Sequence, residues 1–244
     1  MAIEAMYLHL LNNAIDAKRK AAGPDVRLRA LALAYPDLLV PHANMIRLFG
    51  PELVARLPVR EDAEKIWAWH GLQGCTEPLY DSMALFDQLG LDVTVIDIVN
   101  ARGFERIVDL NDPLPADLTG QFDFVIDTGT CEHCFNVGVA FRNSCEAVRQ
   151  GGFLVHAAPM NRYNHGFWNF SPTVYPDFLG DNGFKIHVLT GVTCDLRKGF
   201  KPVAVEPTRR FEAGPNLSLY VVAERLTMQR MTWPVQRKYR STAS

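Results

Sequence analysis

The sequence predicts an α/β protein built on a largely parallel, doubly wound sheet, and three observations predict it. Apolar, β-prone runs such as Asp92–Ile98 and Phe122–Asp127 alternate with stretches of helical periodicity, the pattern of βαβ units. Glycine or proline marks the junctions, at Gly90, Gly151-Gly152 and Pro159. Acids stand at or just past the ends of successive runs, at Asp97, Asp109 and Asp127.

The first sixty residues read as helical. Ile3, Met6, Tyr7, Leu10, Leu11 and Ile15 recur at helical spacing up to Gly23-Pro24. A second helical stretch covers Val26 to Tyr35 and stops at Pro36, and Met45–Phe49 and Glu52–Leu57 read as short helices. Residues 1–60 are therefore expected to form a helical cap or an association surface, through which a homo-oligomer could assemble. Ile66–Trp69 reads as the first strand, followed by the two-glycine loop His70–Pro78 and a helix over Pro78–Leu89. Strands follow at Asp92–Ile98, Ile107-Val108 and Phe122–Asp127. Phe135–Gln150 is the next helix, Phe153–Ala158 the next strand and Thr173–Leu179 a further helix. The last two strands, Phe184–Leu189 and Leu217–Ala223, are joined by a long connection rich in glycine and proline. That predicts an antiparallel pair at one sheet edge. The expected organisation is a cap over 1–60, an α/β domain over 61–225 and a basic tail over 226–244.

Composition narrows the function classes. The 244 residues are 48% hydrophobic and 21% charged, which excludes a disordered or low-complexity chain. No stretch approaches the roughly 20 apolar residues of a membrane span. The start lacks a basic run and carries Glu4, which argues against a secretory signal, and five cysteines without framework spacing suit a reducing compartment. A cytoplasmic location is expected. The net charge of −2 is unevenly spread: residues 61–225 are acidic, whereas Arg230, Arg237, Lys238 and Arg240 make the tail basic. An acidic body argues against a large nucleic-acid footprint; the basic tail could touch RNA or an acidic partner, but such a tail is more often a solvated end that packs loosely or pairs with the acidic body.

In a doubly wound sheet the ligand sits beyond the carboxyl ends of the strands. The loop carrying Gly71 and Gly74 feeds a helix and suits an anion, and Asp97 can accept both hydroxyl protons of a ribose. With Asp109 and Asp127 following in order, the series points to an adenosine-type ligand.

The segments Phe122–Asp127, Glu132-His133 and Arg149–Gly152 leading into Phe153-Leu-Val-His156 resemble class I S-adenosylmethionine-dependent methyltransferases. The similarity covers about residues 64–224. His165–Pro172 followed by Asp181–Phe184 is similar to a bacterial subgroup acting on small molecules or sugars. The resemblance implies a Rossmann-like sheet of about seven strands whose last strand is antiparallel, S-adenosylmethionine as cofactor and a small-molecule or sugar acceptor. It implies that Gly71 and Gly74 face the methionine moiety, that Asp97 binds the ribose and that Ile98 lies beside the adenine. Asp109 and Leu110 would follow the adenine edge, and Asp127, Thr128 and Gly129 would line the sulfonium side. The chain departs from the family in its first loop, which reads His-Gly-Leu-Gln-Gly-Cys where an acid and three close glycines are usual.

Methyl transfer needs acceptor, methyl and sulfur in line, and an acceptor hydroxyl must lose its proton. His133 and His165 are the candidates for that proton, with Tyr163, Phe167 and Trp168 able to pack on the acceptor or cover the sheet edge. Cys131-Glu-His-Cys134 lacks a second pair for zinc and reads as structural thiols, so no metal is assigned. A non-catalytic relative that binds a partner is the alternative, motivated by the irregular loop. Nicotinamide chemistry ranks below both, since G-x-G-x-x-G is missing.

Overall fold

A computed structural model describes residues 2–23, 26–195 and 199–242. Its main sheet contains eight strands, and a small two-stranded one lies beside it. The main sheet runs in the order β5 (Arg106–Ile107), β4 (Leu91–Asp97), β2 (Leu28–Leu33), β6 (Phe122–Asp127), β7 (Val148–Pro159), β10 (Leu217–Arg225), β8 (Phe184–Asp195) and β9 (Gly199–Val203). The first five are mutually parallel, and β10 is antiparallel to both of its neighbours. The doubly wound class and the antiparallel last strand are thus as expected. β1 (Ala2–Glu4) pairs in parallel with β3 (Asp37–Leu39) to make the small sheet.

Both faces of the main sheet are covered, and residue parity assigns them. Ala30, Ala32, Phe124, Ile126, Val155 and Tyr220 face α1 (Ala5–Ala22) and α5 (Ser82–Gln88), whose Tyr7, Leu11, Ile15 and Phe86 complete that layer. Leu31, Leu33, Val125, Leu154, Leu219 and Val221 face α6 (Val137–Ala147) and α7 (Val174–Asp181), with Phe141, Tyr175 and Phe178. The N-terminal helix α1 ends where Gly23, at φ 101°, donates its N–H to Arg19 O.

Two expectations are corrected. Val26–Tyr35, expected as a helix, contains β2, which lies between β4 and β6. The run Leu-Arg-Ala-Leu-Ala-Leu is rich in good helix formers, but it is buried on both faces, so sheet pairing overrides local propensity. The first sixty residues therefore supply part of the main sheet as well as α1, α2 (His42–Phe49) and α3 (Pro51–Val54). Ile66–Trp69, expected as the first strand, lies in α4 (Ala63–Trp69). There Trp67 is buried and donates its indole N–H to Glu77 O at 2.9 Å, while Trp69 is exposed.

Boundaries shift for local reasons. Helix α5 starts at Ser82, not Pro78, because Asp81 caps it, accepting from Ala84 N at 2.7 Å. Helix α6 ends at Ala147, and Val148–Gly152 joins β7. The long connection between the last two strands contains β9, paired antiparallel to β8. The basic tail lies against α7: Arg237 reaches Asp177 at 3.2 Å and Arg240 grips Asp181 with both terminal nitrogens. The tail's residues 243–244 fall outside the described residues.

Candidate active site

From β2 the chain steps outward to β4 and β5, then returns to β6 and steps the other way to β7. The switch in strand order therefore falls between the carboxyl ends of β2 and β6, where open α/β sheets take their ligands. The Thr130 hydroxyl spans it, donating to Leu33 O at 2.6 Å. Beyond β2, Ala34 turns the chain with φ 72° and donates its N–H to Ile96 O at 2.7 Å.

On the β4 side, Asp97 is half-buried at the strand end. Its Oδ1 accepts from the N–H groups of Ile98 (2.7 Å) and Val99 (3.3 Å), which fixes the carboxylate at the rim. Ile98 itself is exposed. Asp109 follows β5 and accepts from Asn111 N and Nδ2, both at 2.8 Å, and these donors hold its carboxyl below the usual range. Leu110 points into the core with Val108 and Leu114. The loop after β4 folds back over the turn from β2: Arg102 stacks 3.9 Å above the Tyr35 ring and pairs with Asp37 at 2.9 Å.

Gly71 and Gly74 follow a helix rather than a strand, each at positive φ (80° and 76°). Their loop still reaches the turn from β2, because His70 Nε2 lies 3.7 Å from Asp37 Oδ2. Gly74, Gln73 and Leu72 wall a cavity of about 840 Å³ with Met6, Arg47 and Phe200. Phe200 follows Gly199, which pairs with Asp195 at the end of β8, so this cavity opens at the same end of the sheet. Asp97 and Asp127 are not in its wall.

At the end of β6, Asp127 is fully buried. Its Oδ1 accepts from Gly129 N (3.1 Å) and Thr130 N (2.8 Å), and its Oδ2 lies 2.8 Å from His156 Nδ1. Burial pushes its pKa up, but the facing His156 and the converging donors outweigh that and hold it low. His156 Nε2 continues the chain to the Tyr175 hydroxyl at 3.1 Å. Thr128 and Gly129 form the turn, Gly129 at φ 110°.

The following 3-10 turn, Cys131–His133, brings the two candidate histidines together. The rings of His133 and His165 are 5.3 Å apart, and Glu132 lies under both: its Oε1 is 3.4 Å from His165 Nε2 and 4.0 Å from His133 Nε2. The loop carrying His165 is tied down by Phe167 N and Trp168 N, which both donate to Glu132 O. Phe167 and Trp168 pack on Phe135, and Tyr163 is exposed. Cys131 is buried beside the Ser144 hydroxyl, and burial raises its thiol pKa well above the ordinary value; that of Cys134 is pushed up to about 11. Both are poor thiolates, as structural thiols should be.

Sequence reasoning missed Glu4, whose carboxyl burial pushes up to about 7 against the opposing effects of a backbone hydrogen bond and the Arg162 charge. It also left His156 and Tyr175 without a role. An acid on the third residue of the chain's first strand carries no local signal, whereas an imidazole within the apolar run Phe153–Ala158 does.

No known protein family matches the chain, and no curated protein does. Among solved structures it is similar to a 1,6-didemethyltoxoflavin-N1-methyltransferase of Burkholderia thailandensis with bound 1,6-didemethyltoxoflavin and S-adenosylhomocysteine. That similarity is at 12% identity and TM-score 0.45, over 88% of this chain and 77% of that one. It is also similar to TehB of Haemophilus influenzae, at 14% identity and TM-score 0.47, where it spans 62% of that chain's length. An S-adenosylmethionine-dependent methyltransferase of Aquifex aeolicus matches at 9% identity and TM-score 0.38, over 86% of this chain and 89% of that one.

Proposed function

We propose that this protein transfers a methyl group from S-adenosylmethionine to a small-molecule or sugar acceptor. The single observation that carries the reading is Asp97, a carboxylate fixed at the end of β4 beside the switch in strand order. One of its oxygens is held by backbone N–H groups, so the group is already oriented for a vicinal diol, and the residues at this rim fit the ribose of a nucleoside. When bound, the cofactor supplies an activated methyl on a sulfonium. The chain's own part is positioning. Asp97 holds the sugar, Ile98 offers an apolar edge for the base with Asp109 along the same rim while Leu110 anchors that loop in the core, and the Thr128-Gly129 turn lines the reacting side. Asp127, gripped by His156, keeps that turn rigid. The Gly71–Gly74 loop contributes at the turn from β2, through His70 and Asp37. His133 and His165 stand on the acceptor side as the groups that engage an acceptor oxygen.

Isothermal titration tests this. S-adenosylmethionine or its demethylated product is expected to bind in the micromolar range, and Asp97→Ala to weaken it by about 10- to 100-fold, the loss of a charged hydrogen-bond pair. A wild-type chain that binds neither nucleoside removes the reading.

A further inference from the structure

Glu132 is a buried carboxylate that the methyl-transfer reading leaves unexplained. It has no exposed surface, yet neither carboxylate oxygen has a hydrogen-bond donor among the described residues. A buried carboxylate without donors is unfavourable unless a cation neutralises it. The surroundings are shaped to admit it: a Cβ on Gly129 would stand 2.9 Å from Glu132 Oε1, and one on Gly166 would stand 2.9 Å from its Cγ. What faces the carboxylate is a pair of imidazoles. His165 Nε2 and His133 Nε2 lie 3.4 and 4.0 Å from Oε1, and the three ligand atoms are all within 4.8 Å of one another.

We infer that Glu132, His133 and His165 form a binding site for a divalent transition-metal ion, zinc being the probe of choice. Metal–ligand bonds of about 2.0–2.1 Å place the ligands of a tetrahedral ion about 3.3 Å apart. The Glu132–His165 separation already matches that edge, the Glu132–His133 separation exceeds it by less than an ångström, and the two imidazole nitrogens, within 4.8 Å of each other, have to close by at most about 1.5 Å. Two imidazoles and one carboxylate are the donor set of open catalytic zinc and of non-haem iron sites, and imidazole selects these ions over magnesium or calcium. The carboxylate comes from the buried side and both histidines are partly exposed, so the remaining coordination positions face solvent. A second cluster, Asp127, Cys131 and His156, is no rival: it is fully buried and its carboxylate already has protein donors.

The inference stands on these three side chains and does not need the methyl-transfer reading. The full chain is stripped with a chelator, dialysed and titrated with zinc by calorimetry, and with cobalt(II) by absorption spectroscopy. One ion per chain, a cobalt spectrum of low coordination number and at least a tenfold loss of affinity in His133→Ala and in His165→Ala are expected. His187→Ala, which removes an exposed imidazole paired with Glu224 on the far sheet edge, should leave affinity unchanged. Both site histidines are partly exposed, so their variants keep the fold. Binding no tighter than about 1 mM, or binding that survives the double variant of His133 and His165, overturns the inference. Nucleoside affinity, measured separately, reports on the methyl-transfer reading alone.

Discussion

Replacing Glu4 by Gln should stabilise the protein at alkaline pH and do little in acid. Glu4 ends β1, is 9% exposed, and has its pKa raised from 4.5 to about 7, mainly by burial, which its backbone hydrogen bond and then the Arg162 charge only partly offset. The folded state therefore holds a proton that the unfolded state has released. Stability contributed by that proton is present in full below about pH 4.5, declines between pH 4.5 and 7, and is gone above. Ionising a carboxyl whose pKa rises from 4.5 to about 7 on folding makes the side chain cost the fold about 3 kcal/mol at pH 8 relative to pH 4. Glutamine keeps the shape and never ionises. Urea denaturation of both chains at several pH values from 4.5 to 8.5 would show the difference in unfolding free energy growing with pH toward about 3 kcal/mol. Parallel profiles for the two proteins would refute the reasoning, since every other titrating group is common to both.

Three further changes test the framework. Arg225 is buried and donates through one terminal nitrogen to the carbonyls of Cys145, Glu146 and Val148, so Arg225→Ala should cost about 3 kcal/mol or more, seen as a melting temperature about 10 °C lower. In Gly152→Ala the new Cβ would stand 2.8 Å from Phe122 O and 2.9 Å from Asp123 O, both backbone atoms; a loss of about 1–3 kcal/mol in a denaturant titration is expected. Tyr175→Phe removes the partner of His156 Nε2 inside the core, and should destabilise by about 1 kcal/mol without altering nucleoside affinity, as calorimetry would report.

What could be read from the sequence follows the physics of each element. β4, β6 and β10 are rich in β-branched and aromatic residues and bounded by turn residues, so they are visible locally. β2 is not: its alanines and leucines carry helical propensity, and its identity comes from neighbours 60 to 95 residues away. Ile66–Trp69 fails in the opposite sense, because two tryptophans mimic a strand while the acid-rich start at Asp62 and Glu64 allows a helix. In the candidate site, Asp97, Asp127, His133 and His165 stand out as polar residues at strand ends or in loops. The grouping of the two histidines around Glu132 does not, because it depends on a loop some 30 residues downstream folding back onto the 3-10 turn. Arg102 over Tyr35 is likewise a tertiary event, invisible until β2 is recognised.

The position of β10 governs how the molecule can be made. Among the described residues this strand alone joins β7 to β8 in the sheet, so the β8–β9 hairpin has no strand to pair with until residues 217–225 exist. During synthesis the parallel half can close early, while the outer ribbon waits with an unpaired edge that invites mispairing. Completion is therefore a late, long-range step, and a chain cut before residue 217 should be caught as two fragments of one sheet that never meet.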